Sequence, residues 1–161
     1  MRFISTAFLL FVSIILYAQS NLTGRYRDYF GSRILLNSDN TFKYTWHFDM
    51  QSSWTTGTWT VMNDTVVFHM IPVYDTLQHT NQNNFVVDTL ILSPDERVER
   101  ISSVDTRILL SYGQNSYSHP GKLFFRKGRL YKISNGRLVK KKQKGFWTGK
   151  KWIPWYFKSN D

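Results

Sequence analysis

Between Lys140 and Lys158, seven lysines interleave with six aromatic residues. Lys140, Lys141, Lys142, Lys144, Lys150, Lys151 and Lys158 carry the charge, and Phe146, Trp147, Trp152, Trp155, Tyr156 and Phe157 carry the rings. Ammonium groups attract phosphate, sulfate and carboxylate, while tryptophan and tyrosine offer flat faces to sugar rings, bases or a lipid interface. The segment reads as an anion-binding surface. Its expected ligand-binding residues are Lys140, Lys141, Lys142, Lys144, Trp147, Lys150, Lys151, Trp152, Trp155 and Tyr156. The structural alternative is that the rings pack as closing strands while the lysines face water. Both can hold at once, with one face packing and the other binding.

Other candidate chemistry is thinner. His47 and His69 fall on polar strand faces close in sequence, so they can approach one another across a meander. Zinc needs a third ligand, and no His-x-His or His-Glu-x-x-His spacing supplies one, so no metal site is expected. Glu96 and Glu99 are the only glutamates, and Asp28 and Asp49 lie at strand ends beside aromatics. There is no Gly-x-Ser-x-Gly elbow and no Gly-rich phosphate loop. The chain has no cysteine, which excludes disulfides, thiolate metal sites, a cysteine nucleophile and a lipid-anchored cysteine. The expectation is a protein without catalytic residues or cofactor.

Asp64-Thr65-Val66, Asp75-Thr76-Leu77 and Asp88-Thr89-Leu90 repeat one pattern. Aspartate closing a turn and threonine opening a strand explains it structurally. The other reading is modification, since Asp-Thr-aliphatic resembles the O-glycan acceptor of some Gram-negative export systems. Thr65, Thr76 and Thr89 would be its sites.

The elements that position these residues are strands. From Thr41 to Phe48, four aromatics (Phe42, Tyr44, Trp46, Phe48) alternate with polar residues, a period of two that lines one sheet face with rings. Asp64 to Met70 repeats the alternation with Val66, Phe68 and Met70. Ser53 to Val61 is Thr- and Trp-rich, with Gly57 marking a bulge. Phe85 to Leu92 and Arg107 to Tyr112 read as strands, with a polar loop over Gln78 to Asn84 between the meander and the first of them. Ser93-Pro94-Asp95-Glu96 has a cap, a first-turn proline and a glutamate three residues on, which predicts one short helix near 94–101. Lys122 to Arg126, Arg129 to Ser134 and Arg137 to Val139 are short strands joined at Lys127-Gly128 and Asn135-Gly136, the latter a strong hairpin signal. The fold class is all-β: an antiparallel meander closing into a barrel of about 8–10 short strands, with a β-sandwich as the alternative.

Composition sets the surroundings. Arg2, the apolar run Ala7 to Leu16 and Ala18-Gln19-Ser20 form the three parts of an export signal over residues 1–20, too short to span a bilayer. An uncleaved anchor is the alternative. The remaining residues, 21–161, are the size of a single domain, rich enough in aromatics to close a core and argue against disorder. The net charge of +10 is uneven. Residues 21–121 carry seven Lys/Arg against ten Asp/Glu, whereas residues 122–161 carry thirteen against one. The basic region thus faces something anionic, or is a solvated lysine-rich face.

Gly24-Arg25-Tyr26, Asp39-Asn40-Thr41-Phe42, Gly57-Thr58-Trp59-Thr60-Val61 and Asp64-Thr65-Val66 together resemble the lipocalin-like small β-barrels of secreted and periplasmic bacterial proteins. The resemblance implies the same barrel. The early Gly-x-Trp of true lipocalins is Gly-x-Tyr here.

The expected function is therefore an exported binding protein, periplasmic or extracellular. It would contact an anionic glycan, lipopolysaccharide or membrane surface through its basic aromatic region at 122–158. Export disfavours nucleic acid as the partner. A second expectation is a carrier of a small apolar ligand inside the barrel, framed by Phe42, Tyr44, Trp46, Phe48 and Phe68. A third is a structural subunit of an envelope assembly.

Overall fold

The structure, a computed structural model, describes residues 21–102, 113–115, 119–145 and 149–159. The export signal, the strand expected over Arg107 to Tyr112, and Phe146 and Trp147 lie outside them. Eight strands form a closed antiparallel barrel. They are β1 (Gly24–Arg27), β2 (Ser32–Leu36), β3 (Thr41–Phe48), β4 (Gln51–Met62), β5 (Thr65–Met70), β9 (Lys122–Arg126), β10 (Arg129–Ser134) and β14 (Tyr156–Ser159). Each neighbours the next in chain order, and β14 closes the ring by pairing with both β1 and β10.

Two excursions leave this meander. Between β5 and β9, the strands β6 (Tyr74–Thr80), β7 (Val86–Leu92) and β8 (Arg100–Ile101) make a small separate sheet. Between β10 and β14, β11 (Arg137–Leu138) pairs antiparallel with β10, and β12 (Gln143–Lys144) and β13 (Lys151–Trp152) pair as a hairpin.

The alternation read in the sequence sets the inside and the outside. Tyr26, Ile34, Leu36, Phe42, Tyr44, Trp59, Val66, Phe68, Leu123, Leu130 and Tyr156 form one buried cluster, closed at one end by Leu22. Phe42 and Phe68 meet edge to face at 4.9 Å. Tight turns hold the register. Asn63-Asp64, Lys127-Gly128 and Asn135-Gly136 all take positive φ at both positions, as the two-residue hairpins that match strand twist require.

Three expectations need correcting. Residues 94–101 form no helix. Ser93 Oγ accepts from Asp95 N at 3.3 Å and donates to Arg97 O at 3.0 Å. The Arg97 and Glu99 amides are taken by the carboxylates of Asp95 and Asp75. The cap closes a turn, and β6 captures the chain before a helical ladder can start. Gly57 is no bulge, because it stays in register with Phe42 on one side and Met70 on the other. Its place is forced by close approach: a Cβ there would lie 2.0 Å from His69 O. The polar segment from Gln78 belongs in part to β6, whose residues through Thr80 pair with β7, leaving only Asn81–Asn84 as the turn.

Candidate functional site

The expected binding residues that the structure describes separate into an outer and an inner set. Lys140, Lys141, Lys142, Lys144, Lys150 and Lys151 are all exposed, on or beside the β12–β13 hairpin. Lys144 lies directly opposite Lys151, and Gln143 opposite Trp152. Like charges facing each other across a ladder are destabilising. The turn is tied by Gly145 N to Lys150 O at 2.7 Å.

Trp152, Trp155 and Phe157 of the same segment pack on other rings. Trp152 packs on Tyr29 with ring centroids 4.9 Å apart, and Tyr29 packs on Phe157 at 5.2 Å. Trp155 packs on Tyr131 at 5.4 Å, with the Arg129 guanidinium 5.8 Å from its ring. Tyr156 is different: it points into the barrel and is 1% exposed, so it belongs with the interior and not with the lysines.

The interior holds polar chemistry that composition did not reveal. Asp28 has a side chain with 0% exposure. Its Oδ1 accepts from the Phe30 and Ser32 amides, each at 2.9 Å, and its Oδ2 faces Lys132 Nζ at 3.4 Å. Tyr44 donates to Ser32 Oγ at 3.2 Å, and the Tyr156 hydroxyl bonds to both Ser32 and Tyr44. Burial raises the Tyr44 hydroxyl above its usual range and raises Tyr156 well above it, with the charges of neighbouring groups adding to the second. Tyr26, which donates to Leu22 O at 2.7 Å, is pushed up to about 12 by burial. Beside this network lies a cavity of about 480 Å³, bounded by Tyr44, Tyr156, Lys132, Lys122 and the His119-Pro120-Gly121 segment.

Of the residues expected to frame an interior ligand, Phe42, Tyr44 and Phe68 are core, Trp46 packs against it and Phe48 is half-buried. The rings of Phe42 and Phe68 fill their part of the barrel, and the room lies beside Tyr44 and Tyr156. The signal for this inner site was the polar residue at strand ends, Asp28. Its partner Lys132, 104 residues away, had no local signal.

His47 and His69 do not meet. Their partners on the intervening β4 are Ser52 and Thr58, about 20 Å apart along a strand. No metal-binding group of three ligands occurs among the described residues. Thr65 starts β5 after the Asn63-Asp64 turn, Thr76 is half-buried in β6, and Thr89 is exposed in β7. Of the three aspartates before them, only Asp64 closes a turn. Asp75 is buried and accepts from Glu99 N at 3.0 Å, and Asp88 pairs with Arg100.

No helix among the described residues is long and apolar enough to cross a membrane. No protein-family model, curated protein or solved structure matches the chain.

Proposed function

We propose that this is an exported, non-enzymatic binding protein of the lipocalin-like kind, and that its β12–β13 hairpin contacts an anionic glycan, lipopolysaccharide or membrane surface. The observation that carries the reading is the Lys144–Lys151 cross-strand pair, flanked by Lys140, Lys141, Lys142 and Lys150, all exposed. An isolated fold gains nothing from holding two ammonium groups opposite one another, whereas an anion lying between them turns repulsion into two attractions. Trp152 of the hairpin packs on Tyr29 of the barrel wall.

The test is a tryptophan-fluorescence titration of the purified mature protein with heparin and with anionic phospholipid vesicles, at low and high salt. A saturable shift that weakens with salt supports the reading. The absence of a shift with either probe removes it.

A second reading, a small-molecule carrier, is favoured by the cavity of about 480 Å³ beside Tyr44 and Tyr156. Its lining by Tyr44, Tyr156, Lys122 and Lys132 suits a ligand with a polar end. Binding there is insensitive to substitution of the hairpin lysines and sensitive to Tyr156→Phe.

A further inference from the structure

The barrel's outer wall carries a second cationic feature, invisible until the ladders are put in register. Arg126 lies opposite Arg129, Arg129 opposite Phe157, Phe157 opposite Arg27, Arg27 opposite Arg33, and Arg33 opposite Thr45. These six positions form one continuous row across β9, β10, β14, β1, β2 and β3. All four arginines are exposed. The sequence neighbours of these positions, Phe125, Leu130, Tyr156, Tyr26, Ile34 and Tyr44, belong to the core or pack against it, so the row faces outward.

No acidic residue occupies the row. It holds two direct like-charge pairs, Arg126–Arg129 and Arg27–Arg33, each unfavourable in isolation. The Arg27 guanidinium sits 5.4 Å from the Phe157 ring at its centre. Between Arg25, Arg27, Arg33 and Lys43 the wall is grooved, with a volume of about 260 Å³.

Rings run alongside. Two positions away along the chain stand Phe124 opposite Tyr131, then Trp155 against Tyr131, and then Tyr29, which is 51% exposed. Tyr29 is also where Trp152 of the lysine hairpin packs. The hairpin is therefore continuous with the row through Trp152, Tyr29, Phe157 and Arg27, each about 5 Å from the next.

We infer that the arginine row and its flanking rings form a track for an extended acidic glycan, a chain bearing sulfate, phosphate or carboxylate groups, which enters from the β12–β13 hairpin. The inference rests on the proposed reading of that hairpin and extends it. Guanidinium forks match such oxyanions in two-pronged geometry, and aromatic faces take sugar rings. Shape selects a chain over a membrane. The four arginines stand on β9, β10, β1 and β2, which with β14 are five adjacent strands of an eight-stranded ring, so they spread over about half its circumference. A flat bilayer touches only part of such an arc, whereas a flexible chain follows it. At roughly 4.8 Å per strand the arginines span about 20 Å, a length only an oligomeric ligand fills.

The experiment uses the mature protein and heparin oligosaccharides of increasing defined length, with anionic vesicles as a parallel probe. Arg27→Gln/Arg33→Gln is compared with Lys144→Gln/Lys151→Gln, and thermal unfolding verifies that both variants fold. The wild type is expected to gain affinity with chain length until the row is spanned. The arginine variant is expected to lose about tenfold or more on long chains, to lose the length dependence, and to bind vesicles as the wild type does. Long chains bound equally by the arginine variant and the wild type overturn the track; a weakened lysine variant then leaves the hairpin reading standing alone. A weakened arginine variant beside an unaffected lysine variant keeps the track and removes the hairpin. Vesicle binding that falls with the arginine substitutions as steeply as long-chain binding overturns the glycan assignment in favour of a membrane.

Discussion

Lys144 and Lys151 face each other directly across the β12–β13 ladder, a ribbon of two strands among the described residues. Replacing both with glutamine is expected to leave the barrel folded and to make it slightly more stable, by about 0.2–1 kcal/mol at low salt. Urea unfolding at two ionic strengths checks this. The gain should shrink at high salt, where the repulsion is already screened. A loss of stability at both salts would mean that the lysines are structural.

Three buried tyrosines make the barrel sensitive to alkali. Tyr26, Tyr44 and Tyr156 have hydroxyls raised above 10 in the folded state, chiefly by burial. The stability this reflects is fully present below pH 10, where unfolded tyrosine is also neutral. It is lost as pH rises from 10 through the folded values, because the unfolded chain ionises first. The expected result is a flat urea midpoint from pH 7 to about 9.5 and a steep fall above it. Tyr156→Phe should make that fall shallower.

Asp28 is expected to be a stability residue whatever the cavity binds. Asp28→Ala strands the Phe30 and Ser32 amides and leaves Lys132 without its carboxylate, a cost of about 1–3 kcal/mol. Lys132→Met should cost less, since that side chain is 37% exposed. Chemical denaturation of both variants decides the order, and the reverse order would contradict this account of the inner network.

Gly57→Ala should be a damaging small change in the barrel. A methyl group there meets the His69 carbonyl oxygen at 2.0 Å, and that atom belongs to the backbone of β5 and cannot rotate away. Loss of about 1–3 kcal/mol or more is expected from the forced separation of β4 and β5. A variant as stable as the parent would mean that the two strands have slack at this point.

The barrel itself was legible because alternation and turn chemistry are local. Thr41–Phe48 was readable as a strand to the residue from its four rings, and Asn135-Gly136 announced its hairpin. The helix near 94–101 was misread because Ser93, Pro94 and Glu96 satisfy a cap wherever the chain then goes, and only the β6 pairing at Thr76 and Asp75 decides it. The arginine row could not be read at all. Arg27 and Arg33 lie in the part of the chain with the net acidic balance, and ring closure between β1 and β14 sets them beside the basic end. Asp28 and Lys132 met for the same reason. Charge counted along the chain says nothing of charge counted around a barrel.

The most direct test of the central claim is the salt dependence of heparin binding to the mature protein, wild type against Lys144→Gln/Lys151→Gln, read by tryptophan fluorescence. The account predicts saturable binding that weakens as salt rises from about 50 to 200 mM, and a variant with weaker binding and a shallower salt slope. Binding that is indifferent to salt, or a variant with the wild-type slope and affinity, would contradict it.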